Sequence, residues 1–196
     1  MTGLGESFLL IACAALPWIL QGIALIVDEC VFHWRRGLPR WECIGHPLDT
    51  LSVLVVVGFV STMPLTASHF WIFILLSAFS CIFVTKDEWV HAELCDAREH
   101  WLHSILFVCH PLVFVSLAFL WCWRDSPSLL GLDALAAPSI AVAIQGQSVV
   151  LAIFMLYQII YWNFVRPRAF VSTAKWRPPV KQSESVDPQP SSSAIG

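Results

Sequence analysis

Residues Leu102–Trp123 read LHSILFVCHPLVFVSLAFLWCW, with no Lys, Arg, Asp or Glu. A bilayer core of about 30 Å is crossed by a helix of roughly 20 such residues. Ser7–Val27, Leu48–Thr66, Ser68–Thr85 and Ile144–Val165 have the same character, and among them only Asp49, at the start of its stretch, carries a formal charge. The second and third stretches are separated by almost nothing, with Pro64 and the Thr66–His69 run marking a tight turn. A weaker apolar stretch, Leu129–Ala143, is interrupted by Asp133 and Pro138 and reads as an interfacial or re-entrant piece.

Composition agrees. The 196 residues are 57% hydrophobic and 13% charged, against about 25% charged in ordinary soluble domains. The mean hydropathy is +0.70. So few charges in a 22.0 kDa chain exclude a soluble globule, and the long apolar blocks exclude a solenoid, a disulfide scaffold or a disordered chain. The expected fold is all-α, a polytopic integral membrane bundle of about five transmembrane helices over residues 1–165, followed by a disordered tail at 166–196.

Basic residues orient the bundle. Arg35, Arg36 and Arg40 follow the first span, Lys86 and Arg98 follow the third, and Arg166, Arg168, Lys175, Arg177 and Lys181 follow the fifth. Ten of the eleven basic residues thus share one side, and only Arg124 lies on the other. The N-terminus is expected outside and the C-terminal tail in the cytoplasm, in a multi-pass protein of a bacterial inner membrane. Leu10–Cys13 resembles a lipoprotein cleavage box, but no basic residue and too short an apolar run precede it, so the first span is expected to stay in the mature chain. Trp71, Trp121 and Trp123 mark outer span ends, and Trp89, Trp101, Tyr161 and Trp162 inner ones. The seven cysteines form no C-x-x-C pair and receive no function. The Pro- and Ser-rich tail is too polar to bury a core, and its first basic residues are expected against anionic headgroups.

The topology exposes an asymmetry. Of seven histidines, His33, His46, His91, His100 and His103 fall at the cytoplasmic span ends. Asp28, Glu29, Glu42, Asp49, Asp87, Glu88, Glu93, Asp96 and Glu99 gather on the same side. Residues three or four apart share a helix face. Glu29/His33, His46/Asp49, Asp87/His91, Glu88/His91, Glu99/His103 and His100/His103 all have that spacing. Glu88-x-x-His91 has the form of the Glu-x-x-His element of di-iron carboxylate bundles. Imidazoles and carboxylates without thiolates suit iron, manganese or zinc, and about ten candidates exceed what one catalytic zinc uses. A di-iron centre held by Glu29, His33, His46, Asp49, Asp87, Glu88, His91, Glu99, His100 and His103 is therefore expected, with zinc or manganese as alternatives. The H-x-x-H-H boxes of membrane di-iron oxidases are absent, so that comparison is an analogy of class.

Quieter explanations stand beside each pair. Asp96 and Glu99 have capping-box spacing. Pro47 and Asp49 suit a helix start. Glu42, Glu93 and Asp96 weigh less as ligands than the others. His110, deep in the fourth span, is either functional or bonded to a neighbouring helix. His69 reads as a turn residue near headgroups. Arg35 and Arg36 fit an anionic head or plain topogenic charge. Tyr157 and Gln158 are placed to line a substrate site, with interhelical bonding as the alternative.

No phosphate loop, nucleophile elbow or H-E-x-x-H motif is present, and nothing supports nucleic-acid binding. The expected function is desaturation or hydroxylation of a lipophilic substrate at the cytoplasmic face, with an external electron donor. The alternatives are a metal- or proton-handling transporter or assembly factor, and a zinc-dependent hydrolase.

Overall fold

The computed structural model describes residues 4–166, so the tail from residue 167 lies outside the described residues. Helix α1 (Leu4–Val27) continues through a π-helical segment, Asp28–His33, into the short α2 (Trp34–Arg36). Gly37, at φ 75°, turns the chain into α3 (Arg40–Thr62). Then come α4 (Ala67–Phe83), a 3-10 turn (Val84–Asp87), α5 (Glu88–Leu94), α6 (Ala97–Asp125) and α7 (Ala137–Ile160), which ends in a second π-helical segment, Tyr161–Val165. Among the described residues there is no strand.

Five helical stretches are long and apolar enough to cross a membrane: Ser7–Arg36, Arg40–Thr62, Ala67–Glu93, Ala97–Asp125 and Ala137–Val165. Their outward faces are hydrocarbon, with Phe8, Leu75, Ile82 and Val115 exposed. Five such helices are compatible with a multi-pass membrane protein. The first, third and fourth overrun the apolar stretches read from sequence, because the helix continues through polar residues that flank them. The second starts earlier, at Arg40, but ends at Thr62, short of the expected Thr66, and the fifth starts earlier, at Ala137. Leu129–Ala143 is not one element. It divides into part of a 3-10 turn at Pro127–Leu130, a left-handed Gly131 (φ 66°), and the start of α7, where Pro138 sits in the first turn.

Inside, α3 packs along α7 and α1 along α6. Val53, Val56, Val57 and Val60 recur at helical spacing on α3 and meet Val113, Leu117 and Trp121 of α6. In a bilayer, apolar contact with a neighbouring helix would gain little over contact with lipid, which gives close packing and interhelical hydrogen bonds more weight. The Ser116 hydroxyl provides one such bond: it donates to the Ala14 carbonyl across α1/α6 and accepts from the Trp18 indole. At the end opposite the His33, His46, His91 and His103 cluster, Arg124 donates to the Val60 and Met63 carbonyls (2.7 and 2.9 Å). These are carbonyls that the end of α3 leaves without helical partners. The α3/α4 turn is tight, as expected, and the Thr66 side chain caps α4 by accepting from the His69 amide.

Candidate metal centre

The site end of the bundle begins with the π-helical segment. Asp28 and His33 are five residues apart, a spacing an α-helix would set about 140° apart on its surface. The wider i→i+5 turn brings them together, with His33 Nε2 3.2 Å from Asp28 Oδ2. His33 Nδ1 faces Glu29 Oε2 at 3.3 Å. Glu29 is held from α7 and its π-helical end: Tyr157 Oη and Trp162 Nε1 each donate to Oε1 at 2.7 Å. A carboxylate fixed in this way keeps the proton on Nδ1 and turns Nε2 inward, the arrangement that orients metal-binding histidines.

Three further imidazoles complete the cluster. His46 of α3 meets His33 edge-on, with centroids 4.7 Å apart. His91 of α5 lies 6.4 Å from His46 and 4.2 Å from His103 of α6. The second Asp28 oxygen faces His103 Nε2 at 3.3 Å, so Asp28 stands between imidazoles from different helices. Glu42, fully buried in the first turn of α3, points Oε1 at His91 Nε2, 3.6 Å away.

The donors form three overlapping sets whose ligand atoms lie within 4.8 Å of one another: Asp28, His33, Glu99 and His103; His33, Glu42 and His46; and His91, Cys95 and His103. Many of these atoms lack a hydrogen-bond partner while buried. They are His33 Nε2, His46 Nε2, both ring nitrogens of His91, His103 Nδ1 and Glu42 Oε1. An unmatched buried polar atom costs about 1–3 kcal/mol, and a native fold seldom gathers several in one place without a ligand to satisfy them.

Two cations flank the cluster. Arg36 donates to Glu42 Oε2 at 2.9 Å and to Glu99 Oε1 at 2.8 Å. Lys86 binds both Asp49 oxygens at 2.7 Å and Asp87 at 2.8 Å, and the Trp41 indole donates to Asp87 at 2.5 Å. Gly45 leaves room for this pair, since a Cβ there would stand 2.9 Å from Asp87 Oδ2.

The expected site residues therefore separate. Glu29, His33, His46, His91, Glu99 and His103 are brought together. Asp49 and Asp87 border the same space but are engaged by Lys86. Glu88 is exposed and belongs to none of the three sets, and His100 Nδ1 lies against the Asp96 carbonyl of its own helix. Arg35 is exposed, whereas Arg36 forms the clamp just described. His110 bonds Ser80 (3.0 Å), which bonds Ser52 (2.7 Å). Gln158 accepts from the Thr50 hydroxyl at 2.7 Å. His110 and Gln158 line a cavity of about 100 Å³ that opens onto Asp28, His46, His91 and His103. Tyr157 holds Glu29.

Asp28, Glu42 and Cys95 enter the donor sets without having been singled out by spacing. Glu42/His46 has the same four-residue separation as Glu29/His33 and was legible; the pairing of Asp28 with His33 depends on the π turn. At the mouth of α6, Asp96 accepts from the Glu99 and Arg98 amides, which holds its carboxyl below the usual range. Burial, and then Glu99, push the Cys95 thiol up.

No protein-family model, curated protein or solved structure matches the chain.

Proposed function

We propose that this chain is a membrane-embedded, metal-dependent oxidoreductase whose centre lies at the cytoplasmic face. The observation that carries the reading is the convergence of four imidazoles from four segments, His33, His91 and His103 buried and His46 half-buried, with five of their ring nitrogens and one Glu42 oxygen without a hydrogen-bond partner. Two ligand atoms about 2.1 Å from one ion and about 100° apart lie about 3.2 Å from each other. The Asp28 separations of 3.2 and 3.3 Å match that spacing.

Eight residues stand in the donor sets; apart from the Cys95 thiol, seven supply nitrogen and oxygen donors: His33, His46, His91, His103, Asp28, Glu42 and Glu99. That is more than a single zinc uses, and Asp28, with one oxygen toward each of two imidazoles, is placed to serve two ions. A mixed nitrogen and oxygen set favours iron, with manganese or zinc as the alternatives. Loaded with iron and supplied by an external electron donor, the centre would provide oxidative chemistry, a desaturation or hydroxylation. The chain's own residues do the rest. Glu29 holds the His33 proton at Nδ1, Arg36 balances Glu42 and Glu99, and Leu106, Phe107 and Phe154 give the cavity an apolar wall.

The cytoplasmic placement rests on the basic residues beside the site, the N-terminus then being outside. A transporter would gather its polar groups near the bilayer midplane. Here the donors sit at helix ends, and of the histidines in the spans only His110 lies deep.

The test is elemental analysis of detergent-purified protein expressed with iron and zinc both available. About two irons per chain are expected. His91→Ala and His103→Ala should each abolish bound metal, and His69→Ala should retain it. About one zinc would favour hydrolysis by a metal-bound water. No metal in chelator-free preparations would overturn the reading.

A further inference from the structure

Helices α1, α3, α6 and α7 line a second cavity farther along the bundle. It measures about 320 Å³, against about 100 Å³ for the one at the site. Helical register places the two in series. Val53 of α3 and Leu151 of α7 line the first; Val57 and Gln147, one turn farther from the donors, line the second. On α1 the step runs from Gln21 to Trp18, and on α6 from His110 to Leu117. The steps on α3 and α7 are about 6 Å along the axis and that on α1 about 4.5 Å, and α6 rises about 20 Å between His103 and Leu117.

The second cavity is hydrocarbon in character. Ile11, Ile19, Leu120, Ile140 and Ile144 contribute to its wall, and no charged or titratable side chain does. Its polar members are Ser139, Gln147 and the Trp18 indole, whose N–H is engaged by Ser116. An apolar cavity of about 150 Å³ accepts benzene, so this one has room for about a dozen carbons. The first cavity is smaller, is lined by carboxylates and imidazoles, and presents the unpartnered Gln21 Oε1 where it approaches the second.

We propose that the substrate is a single-chain lipid lying along the bundle axis, with its reacting end at the donors and its hydrocarbon tail in the second cavity. This inference rests on the metal-centre reading and names the substrate class for it. At about 100 Å³ the first cavity is too small for a polycyclic or multi-chain molecule.

The experiment uses full-length protein and two straight-chain fatty acids long enough to cover about 20 Å, one with a diazirine at the methyl end and one with it near the carboxyl. After photolysis, labelled peptides are mapped by mass spectrometry. The methyl-end probe should label α1 around Ile11–Ile19 and α7 around Ser139–Gln147, and the carboxyl-end probe should label α6 around Leu106–His110. Ala15→Trp and Ala143→Trp, on different helices, should each abolish methyl-end labelling by the long probe. Both should keep labelling at Leu106–His110 by a short-chain analogue. Label scattered over outward residues such as Leu75 and Val115 would overturn the proposal. So would methyl-end labelling in the cavity with the carboxyl-end label away from the donors, which would make the occupant a structural bilayer lipid. Metal content is measured on the same samples: correct labelling without metal sinks only the metal reading, and scattered labelling of metal-loaded protein sinks only this one.

Discussion

Arg36→Gln offers the sharpest test of how charge is balanced at the site. The guanidinium holds Glu42 at 2.9 Å and Glu99 at 2.8 Å, and their side chains are 0% and 4% exposed. Removing one partner from a buried ion pair costs about 3–5 kcal/mol, because the remaining charge is left without compensation. The two carboxylates share one cation, so that range applies to the triad rather than twice over. Glu42 and Glu99 also belong to two of the donor sets, with His33 and His46 and with Asp28, His33 and His103. A bound divalent ion would supply the missing positive charge. The variant should therefore lose about 3–5 kcal/mol in chelator and much less when metal is present. Ligand binding to the folded state adds its own stabilisation to both proteins, so the relevant quantity is the wild-type/variant difference under each condition. Thermal unfolding in detergent, followed by tryptophan fluorescence with chelator and with iron or zinc, measures it. An equal loss in both conditions would refute a metal beside these carboxylates, and no loss in chelator would refute the clamp.

Other outcomes follow from the same geometry. Glu88→Ala and His100→Ala should retain bound metal by elemental analysis, since neither belongs to a donor set; loss of metal from either would redraw the centre. Gly45→Ala places a methyl 2.9 Å from Asp87 Oδ2, which Lys86 holds, and 3.2 Å from Oδ1, which Trp41 holds. Losing those charge-assisted bonds costs about 2–3 kcal/mol, the alanine returns about 1 in helix propensity, and a net loss of about 1–2 kcal/mol should appear in chemical unfolding. Asp96→Ala should speed hydrogen exchange at the Arg98 and Glu99 amides that the carboxylate caps. Backbone donors lower the Asp96 pKa in the folded state, so its contribution is present above the ordinary carboxylate pKa. The difference between variant and wild type should shrink as pH falls through the lowered value; a difference that grows in acid would contradict the cap.

The tight α3/α4 turn and the polar residues gathered at one end were legible because hydropathy adds residue by residue along a helix. Five apolar runs state their own length, and histidines flanking them fall at helix ends whatever the packing. Local spacing also placed Glu29 with His33 and Glu99 beside His103, since each pair lies on one helix. The partnerships between helices were not legible. Lys86 takes Asp49 and Asp87, and Arg36 takes Glu42 and Glu99, across gaps that no periodicity encodes.

The sequence by itself determined five apolar helices and a polar end rich in imidazole and carboxylate, because both follow from side-chain chemistry taken in order. Tertiary structure decided which of those groups face one another. Asp28 joins His33 only because the end of α1 widens into a π turn, and it reaches His103 only because α1 packs along α6. A backbone that changes its residues per turn rotates every later side chain, so spacing rules calibrated on the α-helix lose the register at the point where the donors converge.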